Sequence, residues 1–135
     1  MRTRAILLSL LLLAIIVGLI IYRSVDAKPP SSAGRIADVT VNATDLFAEF
    51  QRDEVEAGKR YNDKLVEVVG TVRDITSGAN GIEILLETGD PMGAVVCDFR
   101  SGEKLELSKG GQAHIQGFCA GYNMDVLLQR CSVSH

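Results

Sequence analysis

The sequence predicts a mainly β protein: a five-stranded barrel preceded by one amphipathic helix, with a separate transmembrane helix at the N-terminus. Three observations carry this. Ala5 to Tyr22 is an 18-residue stretch without a charge, interrupted only by Ser9 and Gly18. Apolar residues at helical spacing follow from Thr44 to Tyr61. After Lys64 the period changes to two and recurs in five short runs separated by turn clusters.

A spanning helix needs about 20 apolar residues, within a range of about 17–25. Ala5 to Tyr22 meets that requirement, and Tyr22 stands where an amphipathic ring suits the membrane interface. Arg2 and Arg4 precede it, so the positive-inside rule puts the N-terminus in the cytoplasm. The expected location is the inner (cytoplasmic) membrane, single-pass, with the C-terminal domain periplasmic or extracellular. A cleaved signal peptide is the alternative, with Val25-Asp26-Ala27 as its site. The long apolar run, and Tyr22 and Arg23 behind it, favour the uncleaved anchor.

Three regions result: an anchor or signal peptide over 1–27, a linker over 28–40, and a domain over 41–135. The linker holds Pro29-Pro30-Ser31-Ser32, which resists helix and has no apolar period. From Lys28 onward there are 11 Lys+Arg against 16 Asp+Glu, a net charge of −5. The basic residues flanking the anchor mask this in the whole-chain value of −3.

Thr44 reads as the N-cap of the helix, with Asp45 in its first turn. Leu46, Phe47, Phe50, Ala57 and Tyr61 share one face, and Glu49, Arg52, Asp53 and Glu56 the other. The first strand then alternates around Val66, Val68, Gly70 and Val72. Turn clusters at 76–81 and 88–91 bound a second strand over Ile82 to Glu87. Ala94 to Phe99, Gln112 to Cys119 and Met124 to Val133 supply the remaining three, read as antiparallel neighbours. Gly70 and Gly117, inside strands, suit chains that must coil sharply between two neighbours. The best fit is an OB-fold, a five-stranded Greek-key barrel. The helix usual between its third and fourth strands is reduced to Ser101 to Ser108.

Leu46 with Phe50, Tyr61-Asn62-Asp63-Lys64, Val68-x-Gly70-x-Val72, Val95-x-Cys97-x-Phe99, Gly111-Gln112, Gly117-x-Cys119-x-Gly121 and Leu128-x-x-Cys131 succeed one another in order. In that order and spacing the chain resembles the tRNA-anticodon-like OB-fold family, from about Val39 to Val133. The resemblance implies a small exported or membrane-anchored bacterial envelope protein, and does not imply tRNA binding. Two positions depart from the family pattern. Asp53 stands where an Asn is expected, and an apolar helix replaces a lipidated Cys as anchor.

Three cysteines in an exported domain suggest one disulfide and one spare thiol. Alternation turns Cys97, Cys119 and Cys131 inward on strands three, four and five. Cys119–Cys131 is the expected bridge and Cys97–Cys131 the alternative. A catalytic thiol is not expected, because Asp98 and Phe99 do not make Cys97 electropositive. His114 and His135 have no ligand-spaced partners, so no metal and no cofactor are expected. The acids are dispersed, and no nucleophile elbow, phosphate-cradling loop or triad pattern occurs. The domain is therefore expected not to be an enzyme.

Single-strand binding requires a basic groove and stacked rings. Here the charge is −5 and the basic residues do not cluster along the sequence, so nucleic acid is disfavoured. The expected function is a non-enzymatic binding or scaffold module whose partner is an envelope protein or an oligomeric ligand. An oligonucleotide-binding protein is the alternative. OB barrels bind across the outer face of strands two and three, between the loops joining strands one–two and four–five. That geometry designates Arg73, Asn80, Tyr122 and Asn123 as candidate binding residues.

Overall fold

The computed structural model describes the backbone of residues 2–25 and 31–134, with the side chains of Ser9 and of 11–22 in the N-terminal helix. Asp26, Ala27, Lys28, Pro29 and Pro30, which carry most of the expected cleavage site and the first three residues of the expected linker, lie outside the described residues, as does His135.

The chain forms two units, Met1–Pro30 and Ser31–His135. The first is helix α1 (Arg2–Val25). Its length follows from a run rich in Leu, Ala and Ile without an internal Pro. Among the described residues no helix is long and apolar enough to cross a membrane. Within the Ala5–Tyr22 run the described side chains are those of Ser9 and of 11–22.

The second unit contains, in order, β1 (Val39–Asn42), α2 (Ala43–Arg52), α3 (Glu54–Tyr61), β2 (Leu65–Gly78), β3 (Gly81–Leu86), β4 (Val95–Arg100), β5 (Gln112–Asn123) and β6 (Asp125–Val133). Strands β2 to β6 close a five-stranded barrel in the cyclic order β2-β3-β4-β6-β5, with β5 returning to β2. This is the expected barrel, with two differences in detail. The β4–β6 pair is parallel, since the chain reaches β5 before β6 enters between the two. Residues 101–111 form turns and extended chain instead of a reduced helix.

Val66, Val68, Val72, Ile84, Leu86, Val95, Phe99, Ile115, Val126 and Leu128 fill the interior, each at most 1% exposed. They sit at the alternating positions that period two requires.

The expected single helix is two. Asp53 adopts extended backbone (φ −155°, ψ 93°), ends α2 and caps α3 by accepting the Glu56 N–H at 3.1 Å. A short carboxylate competes for backbone donors, and so starts helices more readily than it continues them. Thr44 is not the cap. The N-cap is Asn42, whose amide donates to the Asp45 carboxylate at 3.3 Å. Leu46, Phe47, Phe50, Ala57 and Tyr61 are buried as their spacing indicated.

The region expected as linker changes character at Ser31. Ser32 is fully buried: its hydroxyl donates to the Gln116 carbonyl oxygen at 2.9 Å and meets Ser132 Oγ at 2.6 Å. Gln116 Nε2 returns a bond of 2.7 Å to the Ser32 carbonyl oxygen. Val39–Asn42 then adds to β2 as a parallel strand, from Val39↔Val66 to Asn42↔Val69.

The two strand glycines mark close approaches. A Cβ on Gly70 would stand 2.9 Å from the Ala43 Cβ, so the glycine lets the start of α2 rest on β2. Gly117 faces a bulge in β6: Gln116 pairs with Ser132 and Phe118 with Gln129, leaving Arg130 and Cys131 opposite Gly117.

Candidate functional site

The outer face of β3, β4 and β6 is built by register. Leu85 pairs with Val96, and Val96 with Leu127. These three side chains therefore form one row across the barrel, with Leu127 37% exposed. One row away Glu83 pairs with Asp98, two exposed carboxylates directly opposite each other. Like charges so placed oppose each other and repel further negative charge.

The apolar row ends in a shallow cavity of about 300 Å³ lined by Val96, Gly121, Tyr122, Asn123, Asp125 and Leu127. Tyr122 and Asn123, two of the four candidate binding residues, thus share one site. Tyr122 is not a free ring. It stacks on Phe50 at 5.8 Å between centroids and meets Phe47 edge-on at 6.0 Å, which fixes it as a rigid wall.

Arg73 and Asn80 lie elsewhere. Arg73 is engaged by Glu87 at 2.9 Å and by the Asp90 carbonyl oxygen at 2.8 Å. Asp90 is itself held: its carboxyl sits below its ordinary value because the Met92 N–H and then the Gln51 amide donate to it. Asn80 is an exposed residue of the β2–β3 turn. These two residues sit at opposite ends of β3, and neither joins the cavity.

The expected Cys119–Cys131 disulfide does not form, and all three cysteines are free and buried. Register explains this. Cys119 pairs with Leu128, and its thiol donates to Asn62 Oδ1 at 3.6 Å. Cys131 stands three residues beyond Leu128 on β6 and lies over Gly117 beside the Cys97 thiol. Burial pushes the Cys131 thiol well above 9.0, and the neighbouring Cys97 adds to this. Burial likewise raises Cys119. Neither is a poised thiolate.

Among the described residues no three His, Cys, Asp or Glu side chains are placed to hold a metal ion. His114 is exposed on β5, with Nδ1 4.0 Å from Glu67.

One grouping was not anticipated. Phe118 points outward from β5, and the guanidinium carbons of Arg130 and Arg35 lie over its ring at 4.1 and 5.3 Å from the centroid. Along the sequence these three residues are far apart, so only the bulge and the Ser32 contact bring them together.

In fold the unit is similar to a crystal structure of a candidate nucleic acid-binding lipoprotein from Klebsiella pneumoniae subsp. pneumoniae MGH 78578. The TM-score is 0.59 at 21% identity, over 80% of this chain and 100% of that one. A candidate aspartyl-tRNA synthetase from Leishmania major Friedlin matches at a TM-score of 0.45 and 10% identity, over 78% of this chain but 22% of its own. No curated protein matches the chain. The family description tRNA_anti-like matches residues 1–133. With that match over a closed barrel of the expected strand order, the chain belongs to the tRNA_anti-like family.

Proposed function

We propose that this protein is a membrane-anchored, extracytoplasmic OB-fold module that binds a segment of an envelope protein and does no chemistry on it. The observation that carries the binding reading is the cross-strand row Leu85, Val96 and Leu127, ending at Tyr122 and Asn123. It lies on the barrel surface where OB-folds take extended ligands. The Glu83–Asp98 pair bordering it favours basic side chains and opposes a polyanion. An extended peptide of alternating apolar and basic residues fits that arrangement.

The anchor reading is supported by α1. Leu11, Leu12, Leu13, Ile15, Leu19 and Ile21 are all more than half exposed. So much apolar surface in water is unfavourable, and lipid would cover it. Arg2 and Arg4 before the run favour export of the domain behind it.

Oligonucleotide binding is the second reading. It is supported by the description of the Klebsiella lipoprotein and by the ring of Phe118 with its two arginines.

Fluorescence polarisation of the full chain in detergent separates the two. An alternating Val/Lys peptide should bind, and Val96→Asp should weaken it at least tenfold. A single-stranded oligonucleotide should not bind even at low salt, where electrostatic attraction is strongest. Oligonucleotide binding together with a peptide affinity indifferent to Val96→Asp would reverse the assignment.

A further inference from the structure

We propose that Arg35, Phe118 and Arg130 form a docking site for the phosphate of an anionic phospholipid headgroup, through which the barrel rests on the bilayer. This rests on the membrane-anchor reading above and adds a second, reversible contact to it.

The site is built by the backbone. The β6 bulge leaves Arg130 in the left-handed region (φ 55°), and a bulge re-aims the side chain it carries. Here the side chain is turned over Phe118. The Ser32 N–H donates to the Arg130 carbonyl oxygen at 3.2 Å, and the Arg35 N–H to the Ser32 carbonyl oxygen at 3.2 Å. The buried Ser32 thereby ties both arginines to one place.

Among the described residues neither arginine makes an ion pair, although acids outnumber bases in this part of the chain. A guanidinium lying over a ring keeps its in-plane N–H donors free, and those donors match two oxygens of one phosphate. Ile36, next to Arg35, is 95% exposed. An isoleucine presented to water has no partner in the unit, whereas beside a cationic site it suits the headgroup–acyl boundary.

Two considerations favour a lipid over a nucleic acid strand. A strand needs a continuous basic track with several stacking rings. This cluster offers one ring, and Asp98 occupies the outer face of β4, next to β6, with Glu83 beyond it on β3. A headgroup is a single compact anion and needs only the one site. The chain also enters this unit at Ser31, beside the cluster, and only five residues separate Ser31 from Val25 at the end of the apolar helix.

The chain has no Trp, so Ile36→Trp introduces a sole reporter. The full chain carrying it is reconstituted into phosphatidylcholine vesicles with and without phosphatidylglycerol, including brominated acyl chains. The expected result is a blue-shifted, quenched emission only with phosphatidylglycerol, reversed by salt. Arg35→Gln and Arg130→Gln should each raise the phosphatidylglycerol requirement roughly fivefold. Identical emission in both vesicles overturns the proposal, as does a response indifferent to salt and to both substitutions. A shift produced by a single-stranded oligonucleotide instead of lipid overturns it in favour of nucleic acid.

Alkaline carbonate extraction reads the anchor separately. A chain retained by vesicles with a silent tryptophan reporter sinks the docking site and leaves the anchor. A chain stripped by carbonate sinks the anchor, and the reporter's response to phosphatidylglycerol then decides the docking site alone.

Discussion

Cys131 fills the space that a side chain at residue 117 would need. A Cβ on Gly117 would stand 2.5 Å from Cys131 Sγ, 3.2 Å from Leu128 Cβ and 3.3 Å from the Gln129 carbonyl oxygen. Two of these contacts are with groups that cannot swing away. Gly117→Ala should therefore destabilise the protein by about 1–3 kcal/mol, as overpacking of a filled interior does. Adding Cys131→Ala should recover part of that loss. Urea midpoints for the two single variants and the double variant check the coupling.

The thiols make a second expectation, about pH. Cys119 and Cys131 have folded-state values raised by burial, and burial raises Tyr61 above its ordinary 10.0 as well. A raised value means the folded state holds its proton more tightly than the unfolded chain. Their contribution to stability is complete below about pH 8.5, the ordinary thiol value, and falls as pH rises through the folded values. Denaturant midpoints should thus decline as pH rises above about 8. Replacing both Cys119 and Cys131 by Ala should flatten the thiol part of that decline.

The Asp53 cap yields a graded comparison. Asp53→Ala removes the acceptor for the Glu56 N–H and should cost about 0.5–2 kcal/mol. Asp53→Asn keeps an equivalent acceptor and should leave stability nearly unchanged. Thermal melts of the two variants side by side make the check. The Asn anticipated from the family pattern and the Asp present here are then interchangeable as caps.

Gln116 secures the N-terminal segment of the unit. Gln116→Leu would remove the stronger of the two donors to the Ser32 carbonyl oxygen, the one at 2.7 Å, and leave it the Arg35 N–H at 3.2 Å. Losing one of two hydrogen bonds to a buried acceptor costs about 0.5–1.5 kcal/mol. We expect trypsin to cut after Arg35 faster in the variant, with the barrel core still resistant. Cleavage spread evenly over the chain would mean that the substitution acts on the whole fold.

The barrel was legible because its physics is local. Alternation at Val66, Val68 and Val72, and at Val95, Cys97 and Phe99, requires a buried face. Glycines inside strands announce close packing. Three features were not legible, and each depends on partners distant in sequence. Val39–Asn42 is four residues long, too short for a period to register, and becomes a strand only because β2 offers an edge. Ser32 looks like linker until Gln116 and Ser132 arrive to bury it. The cysteines faced inward as alternation indicated, yet Cys119 pairs with Leu128, three residues from Cys131 along β6, so the two do not meet. Of the candidate binding residues, Tyr122 and Asn123 were brought to one cavity by their hairpin. Arg73 was drawn off by Glu87, a partner just past the end of β3 that composition could not reveal.

The closing of the ring has a consequence for how the chain reaches this state. Strand β2 pairs with β3 through a short turn, but its first half waits for β5, with Leu65 meeting Phe118 and Val68 meeting Ile115. Pairings so far apart are slow to form, because the intervening chain must be ordered first. During that interval Leu65, Val66 and Val68 are without their partners on β5. The short parallel strand lies on the opposite edge of β2, where Val66 meets Val39 on one side and Gly117 on the other, so the seam itself closes only when β5 arrives.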